Sequence, residues 1–170
     1  MVRTLAVFGI LIASASAQDR WVYMKSDGFQ LFTNAGAKAG RTELVHLEEF
    51  RYTLGKILGK TNLAIDPPAQ VLLFKTPAEA APYGPADPIQ SGREHTMIIL
   101  SPGTGPTDFN YRFAKLLIES NIDRMPAEFE SGLLSLFSTL EVNGIRVTLG
   151  KPPAERDRAW ARMHLLTVNP

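Results

Sequence analysis

A chain that opens with an export leader and contains no cysteine must hold itself together by burying apolar surface alone. Arg3, the apolar run from Leu5 to Ala13 and the Ala15-Ser16-Ala17 triplet form the basic, hydrophobic and small-x-small parts of a secretory signal peptide (residues 1–17), with cleavage expected after Ala17. Such a compartment permits disulfides. With 0 Cys, however, a disulfide framework, a thiolate metal site and a Cys nucleophile are all excluded. The leader's apolar run is shorter than the ~20 residues a bilayer span needs, and no later stretch comes closer. The mature chain therefore reads as secreted or periplasmic, without a membrane span. Residues 18–170 suit a single domain, since ~150 residues can bury roughly two thirds of their unfolded surface. Loss of Arg3 with the leader leaves 17 basic against 17 acidic residues, which offers no electrostatic footprint for nucleic acid or anionic lipid.

Breakers divide this domain into short elements. Trp21 to Met24 and Phe29 to Thr33 are β-prone runs on either side of Lys25-Ser26-Asp27-Gly28, a hairpin with an Asp-Gly turn. Between Gly40 and Gly59, Leu44, Leu47, Phe50, Leu54, Ile57 and Leu58 recur at helical spacing, and Gly59 is placed to stop the helix. Gln70 to Phe74 reads as a strand, followed by Thr76 and Pro77 as N-cap and first-turn proline of a short helix. Residues 82–94, rich in Pro and Gly, read as a loop, and Thr96 to Leu100 as a buried strand. Asp108 is a candidate cap for a helix with Phe109, Phe113, Leu116 and Leu117 on one face. Pro126 opens the next, whose expected stripe is Phe129, Leu133, Leu136 and Phe137. Ile145 to Leu149 follows the Asn143-Gly144 turn as a strand, and Ala154 to Leu166 closes the chain as a helix. This order predicts an α+β or α/β layered domain, read here as α+β because the first hairpin calls for a mixed β-sheet with packed helices.

Chemistry-bearing residues are sparse. His46, His95 and His164 lie far apart with no i, i+4 partner, so they read as a polar-face, a loop and a Trp160-packed histidine rather than as a metal cluster. Glu119, Glu128 and Glu130 could be imagined as paired glycosidase acids, but Glu128 and Glu130 fall in a first helical turn, where the helix dipole favours negative charge. Ser91-Gly92-Arg93-Glu94-His95 lacks a nucleophile elbow, and Gly103-Thr104-Gly105-Pro106 lacks the Lys-Ser/Thr of a phosphate loop.

The stretch Tyr111-Arg112-Phe113-Ala114-Lys115 with its Leu-Leu-Ile continuation, then Asn121, Pro126 and Ser131-Gly132-Leu133, resembles the catalytic helix pair of bacterial secreted zinc metallopeptidase-like proteins of the gluzincin (peptidase MA) class. Members carry H-E-x-x-H on one helix and an E-G-L-A third ligand on the next. Two His one turn apart reach a single Zn²⁺ at about 2.1 Å, and the adjacent Glu acts on the bound water. The resemblance extends to the opening Trp with Ser-Asp-Gly-Phe-Gln-Leu-Phe-Thr, to Leu47-Glu48-Glu49-Phe50-Arg51, to the Val-Leu-Leu-Phe strand and to the segment from Phe137 to Gly150.

It implies a metallopeptidase N-terminal-like domain, truncated at its C-terminus relative to members that continue into more helices. At the matched positions, Tyr111 and Ser131 are at best weak ligands, Lys115 repels a cation, and Arg112 replaces an acid and cannot be a general base. The resemblance thus implies a pseudoenzyme with degenerate site positions Tyr111, Arg112, Lys115 and Ser131. No catalytic residue, metal or cofactor is expected, and a peptide or protein is the implied ligand. The competing readings are an active hydrolase in another register, using Glu119 or Glu130 with a histidine, and a decayed fragment without activity.

Overall fold

The computed structural model describes residues 20–65, 67–84, 87–144, 146–150 and 158–167; the expected leader and residues 151–157, where the last helix was expected to begin, lie outside them. Strands β1 (Val22–Lys25) and β2 (Phe29–Thr33) form the expected antiparallel hairpin. Helix α1 (Ala37–Ile57) leads to β3 (Ala69–Leu73), which pairs parallel to β2. Helix α2 (Pro77–Ala80) and a 3-10 turn follow, then β4 (Ile89–Ser91) and β5 (Thr96–Leu100). Helices α3 (Pro106–Asn121) and α4 (Ala127–Phe137), the hairpin β6 (Glu141–Asn143) and β7 (Arg146–Thr148), and α5 (Arg158–Thr167) complete the order.

The domain is α+β. Its main sheet runs β1-β2-β3-β5-β4, with three parallel strands in the middle and an antiparallel strand at each edge. Strand alternation sends Phe29, Leu31, Val71, Leu73, Ile98 and Leu100 to one face, where Leu47, Phe50 and Leu54 of α1 and Phe113 and Leu117 of α3 cover them. The opposite face carries a smaller cluster of Phe74, Ala80 and Ile99, flanked by Leu72 and Met97. Helix α4 packs on α3 as their apolar stripes require, and α5 packs on α4, placing Met163 in the core at 2% exposure.

Several local expectations hold for the physical reasons given. The Thr76 hydroxyl accepts from the Glu79 N–H at 3.4 Å, capping α2. Gly59 terminates α1 with φ +69, its N–H reaching Lys56 O while Lys60 N–H reaches Gly55 O, a Schellman arrangement.

Others need correction. Asp108 does not cap α3: Gly105 is the N-cap and Pro106 the first residue, so Asp108 sits in the first turn and accepts from Arg112 instead. Phe129 is 47% exposed and opens on a groove shared with Arg162 and Leu165 of α5, while Leu134 joins the buried stripe. The segment 82–94 is not all loop. Ile89–Ser91 pairs with β5, but with one apolar residue it has no alternation of its own to read. Strand β6 is another addition, and Ile145 lies outside the described residues. The Asp27-Gly28 turn closes without a positive φ at either residue. Gly28 is instead held close to α1, its N–H donating to Glu48 at 3.2 Å, and a Cβ there would stand 3.2 Å from Arg51 Nε.

Candidate functional site

The four positions that the resemblance matched to a zinc site lie on α3 and α4, and each is tied into local structure. Tyr111 is half-buried against the main core. Arg112, one residue on, donates from Nη1 to Asp87 Oδ2 at 2.9 Å and from Nε to Asp108 Oδ2 at 3.3 Å. Lys115 meets Glu119 at 3.8 Å, the i, i+4 pair its spacing implies. Ser131 is exposed and lines a groove of about 1190 Å³ between α4 and α5, together with Phe129, Arg162, Met163 and Leu165. Among the described residues, Tyr111, Arg112 and Lys115 do not line that groove.

Arg112 also organises the sheet edge. Asp87 uses its other oxygen, Oδ1, to accept from the Ile89 N–H at 3.0 Å, so a single carboxylate joins α3 to the start of β4. On its β5 side, β4 is bonded through Pro88 O to Ile99 N and through Gly92 N to His95 O. By the alternation of antiparallel pairing, Ile89 and Ser91 turn their backbone groups to the open edge. With Ile89 N–H taken by Asp87, that edge offers, among the described residues, the Ile89 carbonyl and the Ser91 N–H and carbonyl.

The other charged residues follow their simplest readings. Glu128 and Glu130 occupy the first turn of α4, and Glu128 reaches Arg162 at 3.5 Å across exposed surface. His164 packs on Trp160 with ring centroids 4.8 Å apart. His95 is exposed in the turn before β5. Among the described residues, no three His, Asp or Glu side chains converge closely enough to hold a metal ion. No helix there is long and apolar enough to cross a membrane.

A second concave site gathers residues that lie far apart in the sequence. It is a cavity of about 650 Å³ at the carboxyl ends of β3 and β5, walled by the first half of α1 and the start of α3. Its floor is Leu73, Phe74, Leu100 and Phe109, and α1 contributes Lys38, Thr42, Glu43 and His46. The Glu43 carboxylate, 3.7 Å from His46 Nδ1, raises the imidazole's pKa above its usual value, outweighing the opposing cost of burial. Asn110, 5% exposed, also lines the cavity. Its Nδ2 donates to Leu140 O at 3.0 Å and more weakly to Ser138 O at 3.5 Å, which leaves Oδ1 buried without a partner among the described residues. The clue was available: Asn110 precedes Phe113 by three and Leu117 by seven, which puts a polar residue on the apolar stripe of α3.

No family model matches the chain, and no curated protein and no solved structure matches it.

Proposed function

We propose that this chain is an exported, non-catalytic relative of gluzincin-type metallopeptidases that binds an extended peptide along the open edge of β4. The observation that carries this reading is the Arg112–Asp87–Ile89 connection. Where a peptidase of that class needs a carboxylate to act on metal-bound water, a guanidinium is held by Asp87 and Asp108. A cation pinned there neither takes a proton nor tolerates a metal beside it. The same contact fixes the start of an edge strand that keeps main-chain donors and acceptors free for an added strand. Export through the leader at residues 1–17 belongs to this proposal, as does the descent of the α3–α4 pair from a zinc-binding one.

Fluorescence anisotropy of labelled peptides from an unstructured casein digest, titrated with mature protein, tests the binding mode. Ser91→Pro removes an N–H that faces away from β5, so the fold should persist while affinity falls by about tenfold, the equivalent of one main-chain hydrogen bond plus a steric clash. Equal binding by wild type and Ser91→Pro would exclude the edge-strand mode.

A further inference from the structure

The groove between α4 and α5 takes no residue from β4 and is independent of peptide binding at that edge. We propose that it is the contact through which two copies of this chain pair, face to face, about a two-fold axis running along the groove. Its two walls differ in charge and match in apolar character. The α4 wall brings Glu128 and the 47% exposed Phe129, with Glu130 in the same first turn. The α5 wall brings Arg158, Arg162 and the 62% exposed Leu165, which share one outward face at i, i+4 and i+7. Two large apolar side chains open in one groove with a charged rim mark an interaction site. The charges identify the occupant. An acidic partner would match α5 but meet Glu128 and Glu130, and a basic one would do the reverse, whereas a second copy carries the complement of both walls. The internal geometry fits that pairing. Glu128 lies 3.5 Å from Arg162 across the groove, so the two stand at one height along it. Rotation about an axis along the groove keeps that height and exchanges the walls, which sets Glu128 of each copy opposite Arg162 of the other. Phe129 and Leu165, one residue and one turn from that pair, are carried into the same contact. Within one copy the pair contributes little, since Glu128 and Arg162 are 88% and 79% exposed, and both charges are available to the second copy.

Sedimentation velocity of the mature protein, run from about 5 to about 500 µM, tests this. The expected result is a reversible monomer–dimer equilibrium with a dissociation constant of about 1–100 µM, as suits a contact made by two short helices from each copy. Glu128→Arg and Arg162→Glu, each an exposed change, should leave the far-UV circular dichroism unchanged. Each should weaken the dimer by about a hundredfold, because a two-fold contact places the like charges together twice. An equimolar mixture of these two variants should recover the wild-type strength, since in the mixed pair the reversed side chains face each other and the second contact is native. Leu165→Asp should be monomeric throughout. A wild type that stays monomeric at about 500 µM would overturn the proposal. So would a single reversal that dimerises as strongly as wild type, or a mixture that fails to recover. Casein-peptide binding lost in Leu165→Asp but kept in Ser91→Pro would also overturn it, and would assign the groove to a peptide in place of a second copy.

Discussion

Phe113→Ala should cost about 3–5 kcal/mol, enough to unfold a large share of the protein at moderate denaturant. Phe113 is 0% exposed and stands where the two principal helices meet the sheet. Its ring lies 5.2 Å from Phe50 of α1, 5.9 Å from Phe29 of β2 and 5.5 Å from Phe109 one turn earlier. Removing it deletes the shared partner of three rings from three elements. The neighbours are anchored in strands and long helices, so the void cannot close cheaply. Without disulfides, nothing else limits the loss. Urea unfolding followed by far-UV circular dichroism measures it, with a lower midpoint and an unchanged slope as the expected result. A cost under about 1 kcal/mol would mean that the aromatic cluster is not the centre of the core.

Arg51→Ala should cost about 2–3 kcal/mol, a large value for a charged residue, because the side chain is only 12% exposed and all three of its guanidinium nitrogens are engaged. Nε and Nη2 engage Glu48 at 2.8 and 2.7 Å, and Nη1 donates to Asn62 Oδ1 at 2.6 Å and Leu63 O at 2.8 Å. Glu48 in turn accepts from Gly28 N–H, so one pair of side chains on α1 clamps the β1–β2 turn and the segment leading into β3. Arg51→Lys keeps the charge but lacks the planar fork, and should recover less than half of the loss. Recovery to wild-type stability by lysine would show that charge alone suffices and that the clamp geometry is unimportant.

The same network explains why Leu47-Glu48-Glu49-Phe50-Arg51 stands out in the sequence. Leu47 and Phe50 fall on the core side at helical spacing, whereas Glu48 and Arg51, three apart, meet on the flank. Elements whose own residues carry the periodicity were legible in this way: the β1–β2 hairpin, α1, β3, β5, and the α3–α4 contact. Strands β4 and β6, three residues each, were not, because their partners define them and their own composition does not. Periodicity puts Phe129 on the face of α4 shared with Leu133 and Leu136, but it does not tell that this first-turn position opens on the groove beside α5. At the site, the i, i+4 pairing of Lys115 with Glu119 could be read from spacing. The tie from Arg112 to Asp87 could not, since it joins residues 25 apart through the fold. The cavity escaped notice for the same reason, as Lys38, His46 and Asn110 converge only once α1 and α3 have packed on the sheet.

The most direct measurement on the central claim is the zinc content of purified mature protein, taken with casein cleavage in the presence and absence of a chelator. The expected result is no stoichiometric zinc and no chelator-sensitive cleavage by the wild type. Zinc uptake by the combined variant Tyr111→His, Arg112→Glu, Lys115→His and Ser131→Glu alone would support the register of the zinc-site resemblance, even where the surroundings of the rebuilt site are too altered for turnover. Zinc bound one to one by the wild type, with proteolysis that a chelator abolishes, would contradict the non-catalytic reading.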